Sequence, residues 1–214
     1  MSKLRLKISM SLDGFVAGPS QSVENPLGLG GGRLHEWAFQ LAVFRALLGL
    51  EGGEVNESSP VVEASLANIG ATVMGRNMFG GHPGPWDARK PWTGWWGADP
   101  PFHHPVFVLT HHARAPLELE GGTTFTFVTD GIEAALEQAR QAADGKDVSL
   151  AGGANAAQQY LAAGLVDEMD INLVPTLLGS GERLFDGVGD KLHGLDLVRT
   201  VAAPKVTHLK FAKR

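Results

Sequence analysis

Between residues 147 and 168 the chain reads DVSLAGGANAAQQYLAAGLVDE, and this stretch limits the possible folds more than any other. An apolar run of strand length, 147–151, ends at Gly152 and Gly153 and passes directly into a helical stretch, 155–163, closed by Gly164. Glycines let a ligand approach the backbone closely. The first N–H groups of a helix have no internal acceptor, and the helix dipole favours negative charge there. A pyrophosphate satisfies both conditions. Taken alone, the same sequence also fits a plain tight junction between strand and helix.

The flanking chain alternates strands and helices. In residues 3–10, Leu4, Leu6, Ile8 and Met10 share one face while Lys3, Arg5, Lys7 and Ser9 share the other, the period of a strand. Residues 11–19 (SLDGFVAGP) follow with turn signals, and residues 20–33 are Gly-rich and aperiodic, the composition of a mobile surface loop. Leu34, Trp37, Leu41, Phe44 and Leu48 recur at helical spacing, predicting one helix over 34–48 with Trp37 in the core. A second helix is expected over 60–69, with Pro60 in its first turn.

Further strands are expected at 71–74, 105–110, 123–128 and 168–174. A helix is expected over 131–143 with Asp130 as its N-cap. A terminal hairpin is formed from 195–202 and 205–212 across Pro204. This order predicts a single α/β domain over residues 1–214: a three-layer fold with a mixed, mostly parallel sheet, helices on both faces and a C-terminal antiparallel hairpin. Residues 80–105 stand apart, placing Trp86, Trp92, Trp95, Trp96 and Phe102 among glycines and prolines. Such a segment suits a pocket wall or a subunit contact better than local core.

Two more strand ends carry groups suited to phosphate or ribose. In ATVMGRNMF (71–79) a strand ends at Gly75, and Arg76 and Asn77 follow, the arginine offering a fork of donors. In VFVLTHHAR (106–114), Thr110, His111, His112 and Arg114 cluster at and just past a strand end, following Leu109. Asp13, beside the end of the first strand, is a turn residue by default and also an acidic group where ligands of open α/β sheets collect. In an open sheet such ends converge on one crevice, which favours a nucleotide. The spacing matches neither the Rossmann nor the Walker pattern.

Composition narrows the chemistry. A formal net charge of −5 lacks the basic field that nucleic acid or anionic lipid requires. With no cysteine there is no disulfide, thiolate chemistry or Cys-held metal, and adjacent His111 and His112 point apart on an extended chain, so no metal is expected. No apolar run approaches the ~18 residues of a membrane span, and the first residues lack a signal-peptide core, so a cytoplasmic protein is expected.

SMSLDGFVAGP, ATVMGRNMFGG, PVFVLTHH and AGGANAAQQYLAAGLVDEMDINLVPTLLGSGERLF together resemble bacterial dihydrofolate-reductase-like proteins. Most of all they resemble the C-terminal reductase domain of bifunctional riboflavin biosynthesis enzymes and its stand-alone relatives. The resemblance covers nearly the whole chain. It implies an eight- or nine-stranded mixed sheet, a homodimer, and NADPH lying across the strand ends. It implies that Gly75, Arg76 and Asn77 meet the adenosine-side phosphates, and that Leu109, Thr110 and His111 lie by the adenine ribose. Gly152, Gly153, Ala154 and Asn155 would cradle the pyrophosphate, and Val16 and Ala17 would lie over the nicotinamide.

The implied reaction is hydride transfer from NADPH to a C=N or C=O bond of a small pyrimidinone- or pterin-like heterocycle, as in 5-amino-6-(5-phosphoribosylamino)uracil reduction. Asp13 and then Glu36 are the candidate catalytic residues, as substrate-orienting or proton-relaying groups. Glu36 also reads as a solvated helix residue. Two alternatives stay open: a non-catalytic nucleotide-binding sensor of the same fold, and a partner-binding module that uses the tryptophan segment.

Overall fold

The computed structural model describes residues 2–189 and 194–214. Along the chain run β1 (Leu4–Ser11), β2 (Phe15–Ala17), α1 (Glu36–Phe39), α2 (Ala42–Leu47), α3 (Ser58–Leu66), β3 (Ile69–Gly75), α4 (Arg76–Phe79), β4 (Pro105–Leu109) and β5 (Leu117–Glu118). Then follow β6 (Thr124–Val128), α5 (Gly131–Ala142), β7 (Asp147–Gly152), α6 (Ala154–Ala162), β8 (Glu168–Val174), β9 (Glu182–Arg183), β10 (Leu195–Ala203) and β11 (Val206–Lys213).

Nine strands form one sheet in the order β10-β11-β8-β1-β7-β3-β4-β6-β5. From β8 to β6 every pairing is parallel; β11 on β8, β10 on β11 and β5 on β6 are antiparallel. The mixed sheet and the terminal hairpin are as the sequence predicts, with Lys205 turning the hairpin at φ 64°.

Alternation along the strands divides the core between two faces. Leu4 and Leu6 of β1, Ala71 and Val73 of β3, Phe107 of β4, and Val148 and Leu150 of β7 pack under α5 and α6. There Tyr160 is fully buried, and its hydroxyl donates to the Ile132 carbonyl at 2.7 Å. On the opposite face Leu34, Trp37, Leu41 and Val62 pack against Val174 and Val206. Further along that face, Met74, Val106, Val108, Phe125 and Phe127 meet Phe79 and the tryptophan segment.

Trp86, Trp92, Trp96 and Phe102 therefore also serve as local core, which the sequence expectation sets below a pocket wall, while Trp95 and Trp96 do line a cavity. Phe79 lies edge-on to Trp86, Phe125 and Phe127 at centroid distances of 5.9, 5.1 and 5.2 Å. The indole N–H groups find backbone carbonyls: Trp86 donates to His112, Trp92 to Phe79 and Trp95 to Met78. Aromatic area and satisfied N–H groups replace regular structure here.

The helix expected over 34–48 is broken. Leu41 is extended (φ −74°, ψ 134°) and fully buried. Around it the Glu54 N–H donates to the Gln40 carbonyl at 2.7 Å, and the Ala42 N–H donates to the Glu54 carbonyl at 2.9 Å. Burying Leu41 against a returning chain outweighs the local helical preference. Trp37 is core, as expected, and lies edge-on to His208 at 5.1 Å. Asp130 makes no capping bond to α5.

Residues 20–33 are folded onto the first strand's turn. The Gly18 N–H donates to the Leu27 carbonyl and the Leu29 N–H to the Pro19 carbonyl, each at 2.8 Å. The strands of this loop cross where a Cβ at Gly28 would stand 2.1 Å from the Gly18 carbonyl oxygen, and Gly28 has φ +71°. Gly28→Ala is expected to cost about 1–3 kcal/mol in denaturant unfolding and to make residues 20–33 protease-sensitive. An unchanged midpoint with an intact loop would show that the crossing tolerates a side chain.

His208 sits buried between β11, β8 and α3. Its Nδ1 lies 2.7 Å from Asn172 Oδ1 and its Nε2 lies 2.9 Å from Ser58 Oγ. Burial, then Lys7 and Arg199, push its pKa down to about 4. Burial, then His103 and Lys146, do the same for His104, also to about 4. The unfolded chain protonates these imidazoles first, near the ordinary ~6.5. Their contribution to stability is thus complete above pH ~6.5 and is lost as pH falls towards about 4. NMR titration is expected to keep both rings neutral at pH 5.5. Protonation of either near its ordinary pKa would contradict the buried arrangement.

Candidate active site

The parallel strands deliver their C-terminal ends to one edge of the sheet, where ligands of open α/β sheets bind. A cavity of about 650 Å³ opens there. Every cofactor-contacting residue expected from the sequence lines it: Val16, Ala17, Gly75, Arg76, Asn77, Leu109, Thr110, His111, Gly152, Gly153, Ala154 and Asn155. Four segments far apart in sequence are thus brought to one surface.

The floor is the junction of β7 and α6. Gly152 has φ +120°, a conformation that favours glycine, and the Gly152–Gly153 peptide is cis. A Cβ placed on Gly153 would meet nothing within 4 Å, so its backbone faces open space. A Cβ on Gly75 would stand 3.2 Å from the Ala156 Cβ, so glycine there lets the end of β3 approach the first turn of α6. That turn carries no side-chain cap, and the first intrahelical bond in it is donated by Ala157 to the Gly153 carbonyl. The N–H groups of Ala154, Asn155 and Ala156 are consequently left for a ligand. Gly131, which opens α5, lines the same cavity, so two helix N-termini bring their positive dipole ends to it.

Arg76 is the lining guanidinium. Its Nη2 donates to the His82 carbonyl at 2.7 Å, and the group lies 3.2 Å from the centroid of the Trp86 ring. Its Nη1 is buried and has no hydrogen-bond partner. Burial, then the neighbouring Arg114, lower its pKa to about 10, which leaves it charged at neutral pH. Arg114, grouped with Thr110 and His111 in the sequence, is directed elsewhere: it donates to the Trp92 carbonyl at 2.6 Å and lies over Trp86. The Thr110 hydroxyl accepts from the His112 N–H at 3.1 Å, which fixes the turn after β4.

Neither proposed catalytic carboxylate lines the cavity. Asp13 ties two loops together: its Oδ1 accepts from the Ser11 hydroxyl at 2.6 Å and the Leu178 N–H at 3.2 Å, and its Oδ2 from the Gly179 N–H at 2.7 Å. The Ser11 hydroxyl and these backbone donors, working against desolvation, bring its pKa down to about 2. Such a group is an anionic latch rather than a proton source. Glu36 is exposed on α1, while its predecessor His35 lines the cavity.

The sequence reading missed His35, and also Val128, Thr129, Gly131 and Ile132 at the junction of β6 and α5, whereas Trp95 and Trp96 line the cavity in line with the pocket-wall expectation for their segment. The β6–α5 junction repeats the strand–glycine–helix signal of the β7–α6 junction, which could have revealed it. Among the described residues, no cluster of three or more His, Cys, Asp or Glu could hold a metal ion, and no helix is long and apolar enough to cross a membrane.

The fold recurs in solved structures of low sequence identity. A candidate riboflavin biosynthesis protein from Shewanella sp. PV-4 superposes with a TM-score of 0.59 at 20% identity, over 99% of both chains. The diaminohydroxyphosphoribosylaminopyrimidine deaminase/5-amino-6-(5-phosphoribosylamino)uracil reductase of Thermotoga maritima gives 0.58 at 13% identity. All of the present chain is covered in that match, but only 57% of the Thermotoga chain. Dihydrofolate reductase from Enterococcus faecalis, solved with NADP(H), gives 0.50 at 12% identity over 99% of this chain and 96% of that one. Among curated proteins, none matches in sequence. Residues 2–209 match the model of the RibD C-terminal domain, and the chain therefore belongs to the RibD C-terminal domain family, with a dihydrofolate-reductase-like fold.

Proposed function

We propose that this chain is an oxidoreductase of the riboflavin-pathway reductase type, which uses NADPH to reduce a C=N or C=O bond in a small pyrimidinone- or pterin-like ring. One observation carries the reading. The Gly152–Gly153 turn, the N-termini of α5 and α6 and the unpartnered Nη1 of Arg76 belong to a single cavity. Free N–H groups, favourable dipoles and a half-buried guanidinium with no anionic partner among the described residues suit a dinucleotide diphosphate. Family membership, and the NADP(H) named with the Enterococcus enzyme, support the nicotinamide.

When bound, the reduced nicotinamide supplies a hydride; the substrate carbon takes it, and the substrate heteroatom takes a proton from solvent or a protein group. The chain's own residues bind and orient. Gly153, Ala154 and Asn155 would hold the diphosphate together with Arg76; Thr110 and His111 would lie towards the adenosine, and Val16 and Ala17 would wall the reacting end. A homodimeric cytoplasmic enzyme is part of the same reading, which rests there on family likeness. The sensor alternative uses the same cavity and differs only in lacking turnover. The partner-binding alternative is weakened because Trp86, Trp92 and Trp96 pack inward.

Titration of the protein with NADPH and NADH, followed by quenching of tryptophan fluorescence, is expected to show saturable binding, tighter for NADPH. Arg76→Ala is expected to weaken NADPH about ten- to hundred-fold, the worth of a charge-assisted bond. Absence of binding by either nucleotide at millimolar levels would refute the cofactor assignment. For Asp13, the latch geometry predicts that Asp13→Asn lowers the thermal midpoint and leaves the shape of the pH–rate profile intact. Loss of the acidic or basic limb would return Asp13 to the proton path.

A further inference from the structure

The phosphate-binding elements occupy only part of the cavity. In the sheet order, β7 separates β3, β4 and β6 on one side from β1 on the other. The β1 side is lined by Ile8, Val16, Gln21, Leu27 and His35, with Glu182 of β9. If the nucleotide follows the glycine turn and the helix N-termini, this side is left for the substrate. The inference rests on the reductase reading to that extent.

The charges on this side are unusual for a site that would take a phosphorylated molecule. Among the described residues, no Lys or Arg lines it. Its one basic side chain is His35, and desolvation lowers that imidazole's pKa, so it is neutral at physiological pH. Glu182 adds a carboxylate. The arginines on adjoining elements are held elsewhere. Arg33 Nε donates to the Gly30 carbonyl at 3.3 Å. Arg183 lies 4.4 Å from the centroid of the Phe15 ring, and its Nη1 donates to the Asp13 carbonyl at 3.0 Å. A phosphomonoester dianion placed here would lose water and meet no lysine or arginine among the described lining residues, which is strongly unfavourable. A neutral heterocycle would lose little, burying its faces against Ile8, Val16 and Leu27 while an imidazole that both donates and accepts meets its polar edge.

We propose that the substrate side of the cavity selects an uncharged, non-phosphorylated heterocycle, with His35 as its polar contact. The chain thus acts on a compound from which a phosphate has been removed, or which never carried one.

The test is calorimetric titration of the protein, with and without saturating NADP⁺, using 5-amino-6-(5-phosphoribosylamino)uracil and its dephosphorylated counterpart as probes. The dephosphorylated probe is expected to bind at least about ten-fold more tightly. Gln21→Arg, which places a cation at an exposed position of the wall, is expected to improve the phosphorylated probe selectively. His35→Ala is expected to weaken the dephosphorylated probe several-fold, with His35→Gln restoring part of the loss. Equal or tighter binding of the phosphorylated probe to the unaltered protein would overturn the proposal, as would failure of the dephosphorylated probe to bind at millimolar concentration. Failure of NADP⁺ to bind is read separately in the same experiment and would overturn the reductase reading, while the comparison of the two probes without nucleotide still reports on charge.

Discussion

The position of β7 between β1 and β3 is the constraint on which the rest of the molecule depends. Both neighbours run parallel to it, Leu4 and Leu6 standing opposite Val148 and Leu150, and Thr72 and Val73 opposite Ser149 and Leu150. Parallel register sends three strand ends to the same edge, and the strand in the middle ends in Gly152. Because no side chain projects from the turn that follows, α6 can begin immediately above it, with its first N–H groups facing the cavity. A bulkier turn would part α6 from β3 at Gly75 and open the cavity floor.

The tryptophan segment depends on the same edge from the other face. Residues 80–104 contain no regular element, yet they cover Met74, Phe125 and Phe127 with indole rings whose N–H groups are satisfied by nearby carbonyls. Trp86 also carries Arg76 on its face, so a core residue supports a guanidinium that lines the cavity. The segment thereby fixes the guanidinium that a phosphate would meet, a connection between packing and binding that a solvent-exposed arginine would lack.

Charge is distributed with the same polarity. At the opposite end of the parallel strands, Lys3, Arg5 and Lys210 pair with Glu168, and Arg5 also with Asp147. Burial would raise the Glu168 pKa, but Lys210 and Lys3 bring it down to about 2. Ion pairs thus neutralise one end of the sheet. At the cavity end, helix N-termini and Arg76 bring positive charge to one side, while the β1 side carries the neutral His35 imidazole and the Glu182 carboxylate.

Local sequence determined the elements whose signals are short-range: the period-two face of β1, the strand–glycine–helix junction at 147–163, and the hairpin around Pro204. It also named cavity-lining residues at the ends of β3, β4 and β7, because glycine turns and strand-end cations are visible without knowing what lies across from them. Only tertiary structure decided the rest. Leu41 breaks a helix of sound periodicity because Glu54 returns to bond beside it. Asp13 is a loop latch because Leu178 and Gly179, distant in sequence, present their N–H groups to it. His35 reaches the cavity where the exposed Glu36 does not, since a side chain's direction depends on how its helix is docked. The tryptophans form core because Phe79, Phe125 and Phe127 arrive from other elements. In each case the outcome depends on how another segment docks, and local propensity and spacing carry no information about that.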